Sequence, residues 1–397
     1  MRRFRVMAIA IPLIVVASAC GSSSKPGTSA SASTSASAST SPAGTSANGT
    51  VVAGAGVGDL AAAKKRVAAA SVQPTGVGVD VPLSRKPDPG KNVYFMQCGV
   101  GICKAIGDQH EAAAKLLGWN LIRIDMGTTP EQIVSAWDKV VSATPAPDAV
   151  ITSGVPSVVY RAQLAKLKER KIPVVDYAAK NEVGTNGIIF DALPVQDNEA
   201  RGKLMADFVA VNSDCDAKVL FLNVPDYPVL VAEQKAFQAQ LTKLCPSAKV
   251  DVSNFAATDI GGAIPGAVVS YLQRNPATNW VVPSFDDMHL GVAEAIVEAR
   301  LGDKVKMISQ NGAVHAVDNI LNGRVQVASI PQGPGQVGFK VIDALARHFN
   351  GDSLDPDTAQ LLPIWLQTKS TITDPKQPWA GAPGYQDIFA KLWHVKN

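Results

Sequence analysis

The sequence predicts an α/β protein of two doubly wound, Rossmann-like lobes, each built on a mainly parallel sheet. Three observations carry this. From Lys91 onward, short apolar strand candidates alternate with helix-length segments of 3.6-residue spacing. The alternation restarts near Lys218 with a second set of similar size. Setting aside the first 58 or so residues leaves roughly 310–340 residues, enough for two ordinary domains.

In order, residues 92–97 (NVYFMQ) form an apolar strand, and 108–117 carry helical spacing up to Gly118. A strand over 120–125 precedes a helix over 130–141, whose start is marked by the capping candidate Thr129. Strand 149–152, helix 158–170, strands 173–176 and 187–190, and helix 198–211 complete the first set. The second set runs strand 218–223, helix 229–243, strand 249–252, helix 262–274, strand 279–282 and helix 289–300. Strand 304–309, helix 314–322, strand 327–331 and a long helix 336–349 finish it. Such alternation places parallel strands under helices on both faces. An Ala-rich helix candidate over 59–71 stands outside both sets. The tail carries Trp379, Tyr385, Phe389 and Trp393, which should pack back on a lobe.

The N-terminus reads as an export signal. Arg2, Arg3 and Arg5 precede an apolar run over 6–16 and the small residues Ala17, Ser18 and Ala19. The run is shorter than the ~20 residues a permanent spanning helix needs. Cys20 follows at once, an order that resembles a bacterial lipobox, with Ala17 where Leu is more usual. The resemblance implies cleavage before Cys20 and diacylglycerol on its sulfur. At ~0.8 kcal/mol per buried methylene, two or more acyl chains hold a domain firmly on a membrane. An ordinary secretory signal with an incidental cysteine is the alternative. Residues 21–58 are Ser, Ala, Thr and Gly with one charged residue, Lys25. That composition offers little to bury, so a flexible tether is expected, with a reach on the order of 30 Å.

The chain is 46% apolar and 18% charged, with a net charge of +3 and both signs interspersed. No Lys/Arg stripe offers attraction to nucleic acid. Besides Cys20, four cysteines fall into two local pairs, Cys98 with Cys103 and Cys215 with Cys245. An oxidising exterior favours a disulfide at each, the second contributing roughly 3 kcal/mol on a chain-entropy estimate. A four-thiolate zinc site is the competing reading, which spacing alone does not exclude.

Three local runs resemble one family, the type I periplasmic binding proteins, and within it the ribose-type sugar-binding subgroup. Asp197-Asn198-Glu199-Ala200-Arg201-Gly202-Lys203 resembles its helix start at the lobe crossover. Phe285-Asp286-Asp287-Met288-His289-Leu290-Gly291 looks like its Asn-Asp-Glu-Met-Ala-Leu-Gly segment. Gln332-Gly333-Pro334 with Gly338 is similar to its Gln-x-Pro…Gly turn. The likeness spans about 91–372. It implies a three-crossing hinge, one lobe from 91–194 plus 333–358 and the other from 195–332 plus 359–372. Residues 1–20 are then signal and lipobox, 21–58 tether, 59–90 a helix and linker, and 373–397 a tail on a lobe. The lac-type repressors share the fold but carry a DNA-binding helix-turn-helix where this chain has a lipobox and tether.

Ligands of such folds sit outside the C-terminal ends of the strands. The expected ligand-binding residues are therefore Gln97, Cys98, Val100, Ser153, Asp176, Tyr177 and Asp191 in the first lobe. In the second they are Asp226, Tyr227, Phe255, Phe285, Asp286, Asn311 and, at the crossing, Gln332. By resemblance, Asp286 would accept hydrogen bonds from ligand hydroxyls and Gln332 would hold ligand near the hinge. Asp286 could instead cap the following helix, and Phe285 and Tyr227 could be core aromatics. The departures are informative. Ala178-Ala179 stand where ribose-type members have an Asp-Arg pair, unless Asp176-Tyr177 substitute through a shift, and Val231 stands where they have arginine. The Cys98–Cys103 loop replaces stacking aromatics. A sugar ring needs bidentate polar partners, so these losses point to an aromatic, terpenoid or otherwise partly apolar ligand.

Enzyme signals are weak. Gly333-Pro334-Gly335-Gln336-Val337-Gly338 fits a dinucleotide fingerprint, but Pro334 disturbs the turn and no βαβ unit follows. His110, His289, His315, His348 and His394 are scattered without zinc-hydrolase spacing, and there is no nucleophile elbow. The sequence thus predicts a solute-binding lipoprotein of an ABC importer, held outside the bacterial cell membrane through acylated Cys20. It should work as a monomer with permease subunits as partners, and without cofactor, metal, catalytic residues or nucleic acid. The alternative is a ligand-sensing lipoprotein serving a membrane sensor kinase or receptor.

Overall fold

The computed structural model describes residues 59–184, 186–358, 360–372, 374 and 378–396. The signal peptide, Cys20 and the tether lie outside the described residues. The first strand set forms a parallel sheet from β1 (Asn92–Gln97), β2 (Asn120–Asp125), β3 (Ala149–Ser153), β4 (Val174–Tyr177) and β5 (Ile188–Asp191), ordered β2-β1-β3-β4-β5. Helices α2 (Gly101–Leu116), α3 (Pro130–Val141) and α4 (Arg161–Glu169) connect it. Their apolar faces and the buried strands make two cores, one on each side of the sheet, around Phe95 and Ile151 and around Met96 and Val150. Residues alternating along one strand thus serve opposite faces.

The second sheet takes β6 (Lys218–Asn223), β7 (Lys249–Asn254), β8 (Trp280–Pro283), β9 (Lys306–Asn311), β10 (Gln326–Pro331) and β11 (Gln367–Thr368), ordered β11-β10-β9-β8-β6-β7. All its pairings are parallel except β11 on β10. Its helices are α5 (Val195–Asn212), α6 (Pro228–Leu244), α7 (Ile264–Arg274), α8 (Val292–Glu298) and α9 (Val314–Leu321). The long α10 (Pro334–Asn350) follows β10 but packs on α2, its buried face joining the core of the first lobe. A short α11 (Asp355–Thr358) precedes the return to β11, and α12 (Tyr385–Leu392) closes the chain.

Several elements differ from expectation for identifiable reasons. Helix α2 starts at Gly101, not at residue 108, so the Cys98–Cys103 disulfide ties the end of β1 to the first turn of the helix. One of that turn's free N–H groups, on Gly101, is satisfied by the Asp287 carboxylate of the other lobe (2.9 Å). The segment expected as one helix over 289–300 is split. A 3-10 turn over Asp286–His289 gives way at Gly291 (φ 75°), and α8 begins only at Val292. Asp286 therefore does not cap α8.

The Ala-rich helix α1 (Leu60–Ala70) does not stand apart. It packs on α5, with Ala63 in the core of the second lobe and Arg66 paired to the buried Asp207 at 2.6 and 2.8 Å. The chain then crosses to the first lobe, where Val77, Val79 and Leu83 join the core. The tail docks there too: Trp393 stacks on Phe339 at 5.6 Å, and Trp393 Nε1 donates to Asp343. Cys98–Cys103 and Cys215–Cys245 are both disulfides, with Cα separations of 5.7 and 5.1 Å. Among the described residues, no cluster of His, Cys, Asp or Glu could hold a metal ion, and no helix is long and apolar enough to cross a membrane.

Candidate functional site: the cleft between the lobes

The strand ends of both sheets meet around a cavity of about 510 Å³ of atom-free space, part of it open to solvent. From the first lobe come the Cys98–Cys103 disulfide and Val100, then Ile102 and Ile106, one turn apart on α2. Gly154 follows β3, and Tyr177 and Ala178 end β4. The second lobe supplies Tyr227, Val229 and Leu230 at the start of α6, Phe285 after β8, Gln310 and Asn311 at the end of β9, and Asn198 on α5. Gln332, where β10 leaves for α10, completes the lining.

The lining is apolar with amide accents. No Asp, Glu, Lys or Arg side chain is part of it. Tyr227 and Phe285 meet edge to face at 6.4 Å, and Tyr177 stacks on Phe95 at 6.3 Å. Burial pushes the Tyr227 phenol up to about 12 and the Tyr177 phenol higher still, so both hydroxyls are neutral at physiological pH. Two lining residues hold unusual backbone angles: Ala178 has φ 58° and Asn311 φ 101°. Non-glycine residues in this region carry strain, which concentrates where a fold presents groups to a ligand.

Of the residues expected at the site, Cys98, Val100, Tyr177, Tyr227, Phe285, Asn311 and Gln332 line the cavity. The others are placed elsewhere. Gln97 accepts from Arg123 Nε (3.2 Å). Ser153 lies behind the disulfide, its Oγ donating to Met96 O at 3.3 Å and accepting from Cys98 N at 3.4 Å. Asp176 is fully buried and accepts from Asn181 Nδ2 at 2.8 Å. Asp191 accepts from Leu193 N at 3.1 Å. Exposed Asp226 accepts from Ala257 N at 3.3 Å, and Phe255 belongs to a separate concavity with Ser253 and Tyr271.

Asp286 is the plainest departure. Its carboxylate, fully buried, takes Ser309 Oγ, His289 Nε2 (3.3 Å) and Ala313 N (2.6 Å). With these bonds made, it braces the second lobe and is not among the lining residues. Its neighbour Asp287 reaches across the cleft to Gly101 N. Burial raises the Asp287 carboxyl, with the nearby Asp286 charge adding to the effect.

Sequence reasoning missed Ile102, Ile106, Gly154, Asn198 and Gln310 as lining residues. Ile102 and Ile106 would have been found by starting α2 at the disulfide, because i and i+4 share a helix face. Ala178, Val229 and Leu230 did carry a signal: they stand at or beside the positions where polar partners are lost. The glycines of the dinucleotide-like run have another use. A Cβ at Gly335 would lie 2.4 Å from Tyr385, and one at Gly333 would lie 2.9 Å from Trp379. Their bareness admits the C-terminal tail.

Two lobes of parallel sheet with a cavity between their strand ends are the architecture of a protein that binds a small molecule. The chain belongs to a family described as periplasmic binding protein domain, which matches residues 91–353. This is a family of extracytoplasmic solute-binding proteins, not of enzymes. Comparison with curated proteins gives no match. Among solved structures, the chain is similar to an ABC sugar transporter subunit from Rhodobacter sphaeroides (18% identity, TM-score 0.62, covering 71% of this chain and 99% of that one). It is similar to a solute-binding protein from Agrobacterium vitis bound with α-D-tagatopyranose (20%, 0.62, 72% and 97%). A third is the 5-methylthioribose transporter solute-binding protein from Thermotoga lettingae (19%, 0.63, 77% and 93%).

Proposed function

We propose that the chain is a lipid-anchored solute-binding protein of an ABC importer, acting as a monomer and capturing a small, partly apolar molecule by lobe closure. The observation that carries the ligand class is the lining. Ile102, Ile106, Val229, Leu230 and Phe285 surround the space, and no charged side chain contributes. A pentose or hexose in such walls would meet single amide groups and no charged, bidentate partner for its ring of hydroxyls. Ala178 and the Val229–Leu230 turn stand at or beside positions where the ribose-type pattern has charged groups. The solved relatives include binders of a tagatopyranose and of 5-methylthioribose, the second carrying an apolar thioether on its sugar.

Closure follows from contacts made only when both lobes face the ligand, so the ligand shifts the hinge equilibrium toward the closed arrangement. The hinge we propose comprises the crossings between β5 and α5, between β10 and α10, and between α11 and β11. Acylation at Cys20 and the tether would hold the binding domain near its permease. Isothermal titration with aromatic and terpenoid compounds against plain pentoses and hexoses tests the ligand class. Tight binding of an unmodified sugar, and none by the apolar compounds, refutes it. Labelling with radioactive palmitate, lost in Cys20→Ala, tests the anchor.

A further inference from the structure

We infer that the cavity selects molecules that donate hydrogen bonds and carry no negative charge, and that buried Glu233 enforces this by fixing the orientation of two lining amides. The inference rests on the cavity being the ligand site and names the polar chemistry of its occupant.

Asn198, on α5, and Gln310, at the end of β9, come from separate elements and both line the cavity. Each turns its amide NH2 to the same atom, Glu233 Oε2, at 3.4 Å from Asn198 Nδ2 and 2.5 Å from Gln310 Nε2. Glu233 itself is completely buried on α6. Its backbone is clamped by α5, since a Cβ at Gly202 would sit 2.4 Å from Glu233 O. Burial pushes the Glu233 carboxyl well above its usual range, against the pull of the two amides and Arg201. Ionised, Glu233 can only accept, which turns both NH2 groups toward it; protonated, its one O–H can reverse at most one amide. Flipping both would bring their two oxygens against Oε2 with at most one proton to share.

With the NH2 ends so engaged, the oxygens are what remains. Asn198 Oδ1 and Gln310 Oε1 are buried without a partner, as are Asn311 Oδ1 and Gln332 Oε1 of the same lining. A buried polar group left unpaired costs about 1–3 kcal/mol, which a ligand O–H or N–H recovers. An ether or ester offers no donor and recovers none of these four oxygens; it can only accept from the Tyr177 hydroxyl, which is also unpartnered. A carboxylate or phosphate faces these oxygens, and although the Tyr177 hydroxyl can donate to it, no Lys or Arg in the lining balances its charge. The occupant is therefore a small molecule with an apolar body bearing hydroxyl or amine groups.

Isothermal titration of the full chain with matched triplets tests this. Each triplet is one hydrocarbon skeleton (phenyl, cyclohexyl or p-menthane) carried as a vicinal diol, as its dimethyl ether and as a carboxylate. Ribose and glucose are run alongside. The expected result is a diol that binds at least about tenfold tighter than its ether and carboxylate partners. A carboxylate or ether equal to its diol overturns the acceptor assignment and leaves the apolar reading standing. Ribose or glucose outbinding every triplet sinks that reading itself, and no binding by any diol overturns the inference. Glu233→Gln keeps an acceptor oxygen and should retain the diol-to-ether ratio. Glu233→Met removes it, and the ratio should collapse. A Gln variant without discrimination, or a folded Met variant with all of it, refutes the positioning role; should Met fail to fold, the Gln ratio decides alone.

Discussion

Replacing Asp287 with alanine should open the lobes. The half-buried Asp287 carboxylate accepts from Gly101 N at 2.9 Å, across the cleft and at the first turn of α2. A hydrogen bond to a charged acceptor contributes about 1.5–3 kcal/mol, and the positive end of a helix adds ~0.3–1 kcal/mol. Against this, closure strips water from the carboxylate, which already lies beside Asp286 in its own lobe; burial and the Asp286 charge both raise its pKa. The net is about 1 kcal/mol, or roughly a fivefold change in the closed-to-open ratio. Because apparent affinity scales with the competent fraction, ligand binding should weaken by up to the same factor, although Asp287 does not line the cavity. Double electron–electron resonance between spin labels on α4 and α7 reads the distance distribution directly. Asp287→Asn, which keeps an acceptor but not the charge, should fall between the two. Identical distributions in the parent and Asp287→Ala would refute the latch.

Two further outcomes follow from other parts of the molecule. Removing the Cys215–Cys245 disulfide by double substitution to serine should lower stability by roughly 3–4 kcal/mol on the loop-closure estimate. Both cysteines sit in the core of the second lobe and neither lines the cavity, so ligand affinity should be preserved; chemical denaturation and titration of the same sample check both halves. The second concerns pH. Burial raises Asp191 to about 7 and Asp176 well above its ordinary value, with the Asp191 charge adding to the latter. The native state then holds protons that the unfolded chain releases near pH 4, so this contribution is full below that pH and is lost as pH rises through about 7. Melting temperature should fall between pH 5 and pH 7.5, and Asp191→Asn should flatten the fall; a slope unchanged by the substitution speaks against it.

Parts of the cavity lining were legible because they follow from local chemistry. Cys98 and Val100 were readable from a strand end leading into a disulfide loop. Tyr177, Asn311 and Gln332 were readable as the last residues of strands or the first beyond them, where a doubly wound sheet presents its ligand. The acids among the expected residues stand outside the cavity lining for a common reason. Asp176, Asp191 and Asp286 lie at strand ends too, but each finds its hydrogen-bond donors within its own lobe. Which way a side chain turns at a strand end depends on donors brought in from distant elements, such as Ala313 N for Asp286. No spacing rule contains that information.

The sequence by itself determined the architecture, since two runs of alternating strands and amphipathic helices can bury their apolar faces only as covered parallel sheets. It also determined the apolar character of part of the cavity lining, because Ala178 and the Val229–Leu230 turn are visible as residue types. Tertiary structure decided the rest. It set α1 on the second lobe while the chain after it runs to the first, assigned Asp287 to bridge the cleft and Asp286 to brace the lobe, and committed two amides to one buried carboxyl. The physical reason is the same in each case: burial and hydrogen-bond satisfaction are properties of neighbours far apart in the chain, and they exist only once the lobes have formed.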